Sequence, residues 1–181
     1  ALKEESSRFF AEVGLHEKIR PEFKVALNDF RYFLEKLKHH LDDTEQEINL
    51  ITTDGERQFV EDEVIAFSET KIQNQAHDLM AKIGRVTKEF TKEEDDLHRK
   101  YFQEQLLPLT HSSILAKRAF EKPLWYPGDY EMMNIFYHGS LFGSSLWEKL
   151  INSCVTNIHP GKAVQNRAGY LKNKITETID N

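Results

Sequence analysis

"PEFKVALNDFRYFLEKLKHHLDDTEQEINLI", residues 21–51, decides the fold class. Phe23, Leu27, Phe30, Leu34, Leu37, Leu41, Thr44, Ile48 and Ile51 recur at alternating spacings of four and three, and Thr44 is the only polar residue among them. An apolar line of that period belongs to an α-helix packed lengthwise on a partner in a left-handed coil. Pro21 can open the helix, because a first-turn proline forfeits no hydrogen bond. Thr53-Asp54-Gly55 then supplies a turn, since Asp and Gly favour turn conformations.

A second helical pattern runs from about Arg57 to Leu107. Phe59, Val60, Val64 and Phe67 open it, Ile72, Ala76, Leu79, Ile83, Val86 and Phe90 continue it, and Leu97 and Tyr101 close it. The step from Phe67 to Ile72 slips the heptad by one residue and predicts a local change in winding. Pro108 ends the run. At about 1.5 Å per residue such a helix reaches roughly 75 Å, against about 45 Å for its partner. The unmatched end is expected to pack on Phe9, Phe10, Val13 and Leu15, on the C-terminal region, or on a second copy. A homodimer is the expectation that follows from this overhang.

Beyond Pro108 the elements shorten. Helices are predicted at about 111–121, 129–138, 143–158 and 161–179, with breaks at Pro123 to Gly128, Gly139 to Gly143 and His159-Pro160-Gly161. No strand pattern and no internal repeat is present. The predicted fold class is all-α: an N-terminal helix and a long antiparallel, coiled-coil-like hairpin over 1–107, then a cluster of shorter helices over 108–181.

Composition narrows the function. The chain has 181 residues, 39% hydrophobic and 30% charged, which is globular and not disordered. Its net charge of −6 is uneven: residues 1–107 carry net −8 and residues 108–181 net +2. No basic stripe exists, so a nucleic-acid partner is not expected. The single Cys154 excludes an intramolecular disulfide and suits a reducing cytoplasm. No signal peptide or membrane span is evident. An N-terminal Ala and a final unbroken helical pattern suggest a piece of a longer protein.

Di-iron bundles use Glu-x-x-His pairs on facing helices. Here His98 follows Asp95 by three and His77 follows Asn74 by three, so the pattern is missing and no metal is predicted. His39-His40 point in different directions on a helix. There is no nucleophile elbow and no phosphate loop. Cys154, in "LWEKLINSCVTNI", reads as a structural thiol, and "GSLFGSS" as a helix-connecting loop. No catalytic residue is predicted in this chain.

One stretch has a different texture: "KPLWYPGDYEMMNIFY", residues 122–137. Tyr126-Pro127-Gly128-Asp129 fits a type II turn, with proline presetting the second position and glycine accepting positive φ at the third. Asp129 is placed to cap the next helix, on which Tyr130, Met133 and Tyr137 share one face. Two readings stand side by side. The stretch is a capped core helix, or its aromatics with their polar tips line a small-molecule pocket.

"KPLWYPGDYEMMNIFY", then "SLFGSSLWEKLIN" and "AVQNRAGYLKNKI", resembles the segment preceding the catalytic domain in a group of bacterial S-adenosylmethionine-dependent methyltransferases. The group is that of the 3-hydroxypalmitic acid methyl ester biosynthesis proteins, associated with quorum-sensing signals. Its pattern is similar to K-P-x-G-Y-A-G-D-Y-E-M-M, later S-L-F, later R-N-R-x-x-L, and the resemblance covers about residues 115–175. Trp125 stands where that pattern usually has glycine, Pro127 where it often has alanine, and Gln165 where it often has arginine.

The resemblance implies the helical N-terminal part of a methyltransferase acting on a hydroxy-fatty-acid-like carboxylate. A Rossmann-like domain would follow as its partner and bind S-adenosylmethionine; no cofactor is expected in this chain alone. Tyr126, Gly128, Asp129 and Tyr130, with Asn166, Arg167 and Tyr170, match motif positions and are the substrate- or cofactor-pocket candidates. Arg167 could hold an acyl carboxylate, or be a surface residue of an amphipathic last helix. The hairpin lies outside the resemblance, and its expected role is dimerisation or transmission from an upstream sensory domain. The alternative to an enzyme part is a non-enzymatic module with that role alone, the aromatic motif serving as its core.

Overall fold

The structure is a computed structural model that describes residues 5–6, 13–14, 16–125, 129–138, 141–157 and 159–179. Among them there is no strand, and the fold is all-α. The helices are α1 (Pro21–Ile48), α2 (Asp54–Val86), α3 (Lys92–Thr110), α4 (Ile114–Glu121), α5 (Tyr130–His138), α6 (Leu146–Asn157) and α7 (His159–Ile179). They fall into two compact units: Ala1–Leu37 with Gln73–Leu109, and Lys38–Ile72 with Thr110–Asn181. The long helices α1 and α2 each supply residues to both.

In the first unit the α1 seam is buried at Phe23, Leu27 and Leu34, as its spacing requires, together with Leu79 and Ile83 of α2 and Tyr101 and Leu106 of α3. Each fully buried leucine contributes roughly 2 kcal/mol. His98 is 1% exposed between the rings of Phe23 and Phe90. Its Nε2 accepts the backbone N–H of Arg20 at 3.0 Å, and its Nδ1 lies 2.7 Å from the carbonyl of Glu94. A backbone N–H can only donate and a carbonyl only accept, so the ring is neutral with its proton on Nδ1. The histidine is a fastener between α3 and the approach to α1. Arg20 stacks over Phe90 at 4.6 Å and pairs with Glu94 at 3.0 Å on the same corner.

The single helix expected over 57–107 is broken. After Val86 come a 3₁₀ turn, Thr87–Glu89, and an extended Phe90 (φ −69°, ψ 135°). The cause is a capping box that the apolar pattern concealed. Thr91 N–H donates to Glu94 Oε2 at 2.9 Å, and Glu94 N–H donates to Thr91 Oγ1 at 3.2 Å. Two orphan donors at the start of α3 are thereby satisfied. Thr91→Ala lowers stability by about 1 kcal/mol, to be read as a lower urea midpoint at unchanged slope. At the other end Pro108 lies inside α3, which runs on to Thr110.

In the second unit the α1 seam continues through Leu41 and Ile48, while α2 buries Ile65, Ser68 and Ile72. Phe59 and Phe67 are instead 65% and 67% exposed. The seam therefore passes through Ser68 and needs no slipped heptad; a serine hides the line in the sequence, where the neighbouring Phe67 stands out. The other core residues are Leu115, Phe136, Leu146, Trp147, Leu150 and Ile151.

Helix α6 is held by polar ties. Ser145 Oγ caps it by accepting from Glu148 N–H at 3.2 Å, and Lys149 pairs with Glu61. Glu45 accepts from Leu146 N–H at 3.1 Å, and Glu69 accepts from Ser153 and from Asn157. Buried Asn152 accepts from Ser113 Oγ and donates to the carbonyl of Phe142 at 2.6 Å. Ser113 in turn caps α4 through Ala116 N–H. Buried hydroxyls and amides thus find partners, as a low-dielectric interior demands. The break expected at His159-Pro160-Gly161 is the first turn of α7, with Gly161 buried inside the helix.

Candidate functional site

The "YPGDY" stretch falls between α4 and α5 in the sequence. Helix α4 ends at Lys122 in the left-handed region (φ 47°), with its N–H donating to the carbonyl of Arg118. Lys122 to Trp125 then form a tight turn, closed by Trp125 N–H on the Lys122 carbonyl at 2.8 Å. Trp125 has φ +67° and is 95% exposed. A side chain in that region costs roughly 1–2 kcal/mol, which glycine avoids at an entropic cost of about 0.5–1. Trp125→Gly therefore leaves thermal stability unchanged or slightly raised, measured by calorimetry, although it removes the largest side chain in the segment.

Tyr126, Pro127 and Gly128 lie outside the described residues, and the expected type II turn with them. Asp129 is described in full and is 1% exposed. Its Oδ1 accepts Met132 N–H at 3.0 Å, so it is the N-cap that its position before α5 predicts. Arg118 Nε donates to both carboxylate oxygens, at 2.8 and 3.0 Å. That bond first, and the Met132 N–H with it, hold the Asp129 carboxyl below the ordinary aspartate range against the opposing effect of burial. Arg118 is pushed upward by the same bond. Asp129 is thus committed to structure. Arg118 was missed in the sequence because nothing local marks a partner eleven residues away.

On α5 the buried position is Phe136, while Tyr130 and Tyr137 are 61% and 47% exposed. The face drawn through Tyr130, Met133 and Tyr137 as a core face looks outward instead at both tyrosines. Tyr130 is raised in pKa, chiefly by its neighbour Glu131. With Phe120, Leu124 and Trp125 also exposed, the corner carries rings and apolar side chains turned to solvent.

The remaining candidates, Asn166, Arg167 and Tyr170, lie within about one turn of α7, and all three are exposed. From residue 166 to residue 179 every α7 side chain is exposed, including Leu171, Ile175 and Ile179. Among the described residues no hydrogen bond, ion pair or ring contact joins Tyr130 to the α7 trio. The available groups are phenol hydroxyls, an amide and a guanidinium, suited to holding a carboxylate but not to transferring protons near neutrality.

Cys154 is pushed up to about 12, chiefly by burial and next by Glu69, and so is a packed thiol and not a nucleophile. Among the described residues no cluster of three or more His, Cys, Asp or Glu could hold a metal ion, and no helix is long and apolar enough to cross a membrane. Comparison with family models, with curated proteins and with solved structures found no match to the chain.

Proposed function

We propose that this chain is the helical cap of an S-adenosylmethionine-dependent methyltransferase that esterifies the carboxylate of a hydroxy-fatty-acid-like acceptor in the cytoplasm. The observation that carries the reading is the backbone at Trp125. The resemblance places glycine there, and the chain adopts φ +67°, a conformation glycine takes freely. A corner built for glycine favours common ancestry over a chance run of aromatics. Tyr130, Asn166, Arg167 and Tyr170 are turned to solvent, as side chains facing a following domain would be.

In this reading Tyr130, Asn166, Arg167 and Tyr170 form one wall of the acceptor pocket, with Tyr126 and Gly128 completing the motif. Asp129 is assigned to scaffolding. Arg167 orients the acceptor carboxylate through paired N–H bonds. S-adenosylmethionine, held by the following domain, supplies an electrophilic methyl group when bound. The carboxylate held by Arg167 would accept that methyl group as an anion, so this chain would have no proton to remove. Catalysis is then mostly positioning.

The sequence that follows residue 181 in the parent gene tests this. A strand, a glycine-rich turn and an acidic residue about twenty positions later are expected, with methyl transfer from labelled S-adenosylmethionine to a long-chain 3-hydroxy acid. Their absence would sink the reading. Calorimetry of the present chain with S-adenosylmethionine should show no strong binding, and tight binding would disprove the division of labour. A second reading, a module for dimerisation or signal transmission with no enzyme attached, is favoured by the commitment of Asp129 to Arg118. It predicts that the parent transfers no methyl group from labelled S-adenosylmethionine.

A further inference from the structure

Within the first unit, the start of α1 and the end of α2 line a groove of about 500 Å³, formed by Pro21, Glu22, Val25, Ala26 and Asp29 with Lys82, Arg85 and Val86. Its floor is apolar, and Val25 is 60% exposed on it. The apolar stripe continues two turns on at Tyr32, 62% exposed. The rims differ in sign. The α1 side carries Glu22 and Asp29, and the α2 side carries Lys82 and Arg85. All four are exposed, and none makes an ion pair or hydrogen bond among the described residues.

An occupant of one charge sign is repelled by one rim whichever way it lies. A nucleic acid or an anionic membrane meets Glu22 and Asp29; a basic peptide meets Lys82 and Arg85. A fitting surface carries the same two rims in reversed order, basic against α1 and acidic against α2. A second copy offers that surface when turned about a two-fold axis lying along the groove. Such an axis sets α1 of one copy over α2 of the other and keeps residues at their own height. Glu22 and Asp29 then face Lys82 and Arg85 of the other copy, twice over, and Val25 lies over the apolar floor of the other copy's groove. A face that complements itself is the requirement of an isologous dimer, and rim charges of this kind select partner and register. We infer that the groove between the start of α1 and the end of α2 is the seat of a second copy of this chain, in a two-fold dimer selected by these opposed rims.

Sedimentation velocity over a concentration series tests it, with three charge-reversed or charge-inserted variants. Glu22→Lys with Asp29→Lys makes both rims basic, and Lys82→Glu with Arg85→Glu makes both acidic. Val25→Asp places a charge at the centre. The wild type is expected to dimerise, each variant to dimerise on the order of tenfold more weakly or worse, and all to keep the helical circular dichroism of the parent. Mixing the all-basic with the all-acidic variant should restore a dimer of one copy of each. A wild type that stays monomeric overturns the inference, as does one whose groove is filled by an amphipathic helix of another protein. A dimer indifferent to both reversals overturns it as well, because its interface lies elsewhere.

Discussion

Gly161→Ala lowers the melting temperature of the second unit by roughly 10 °C. A Cβ at this position would sit 2.1 Å from the carbonyl oxygen of Thr156 and 3.0 Å from the Phe136 ring. The first obstacle is backbone at the end of α6 and cannot rotate aside. Relief requires α7 to move away from α6 and α5 together, which loosens the packing around Phe136. Overpacking of that kind costs about 3 kcal/mol, and in a chain of this size each kcal/mol is worth roughly 2–4 °C. Calorimetry checks it, with Gly169→Ala as the control. Gly169 also lies on α7, has no atom within 4 Å of an added Cβ, and should gain slightly from alanine's helix propensity.

The demand on that glycine is not legible in the sequence. Glycine beside proline is ordinarily punctuation, and His159-Pro160-Gly161 reads as a break. Its need for a missing Cβ comes from the α5 ring and the α6 carbonyl, neither of which is local. The α1 seam was legible because its period is a property of one helix, and Phe23, Leu27, Leu34, Leu41 and Ile48 are all buried. The Asp129 cap was legible for the same reason, being set by the three residues that follow. What failed were places where a polar residue did the core's work or punctuated the helix. Ser68 sits in the α2 seam, and Thr91 with Glu94 stops what looked like fifty residues of continuous helix. Of the candidate site, the face of α5 was misread because aromatic residues there point both ways. Phe136 is buried, whereas Tyr130 and Tyr137 are not.

Asp129→Asn destabilises the chain by an amount that depends on pH. The amide can still accept Met132 N–H, but it presents no charge to Arg118. Breaking a well-buried pair leaves the other ion unsatisfied, and the expected loss at neutral pH is on the order of 10 °C. The folded carboxyl lies below its ordinary value of about 3.9. The pair's contribution is therefore complete above that value and is lost as pH falls through the folded value. The gap in melting temperature between wild type and variant should be constant near neutrality and close below about pH 4. A gap that stays constant into strong acid would show that shape, not charge, holds the corner. Arg118→Lys, with Asp129 intact, should cost part of the same stability, since a lysine ammonium keeps the charge but cannot reproduce the guanidinium's bond to both carboxylate oxygens.

The two tryptophans of the second unit are at opposite extremes, Trp147 at 2% exposure and Trp125 at 95%. Their fluorescence is accordingly separable. Trp147 emits to the blue and is shielded from aqueous quenchers, whereas Trp125 emits to the red and is open to them. The first reports whether the α6 core is intact. The second reports whether anything covers the corner beside α5, and the Trp125→Gly variant supplies the blank. The chain thus carries its own optical assay for any covering of that corner, with an internal reference in the α6 core.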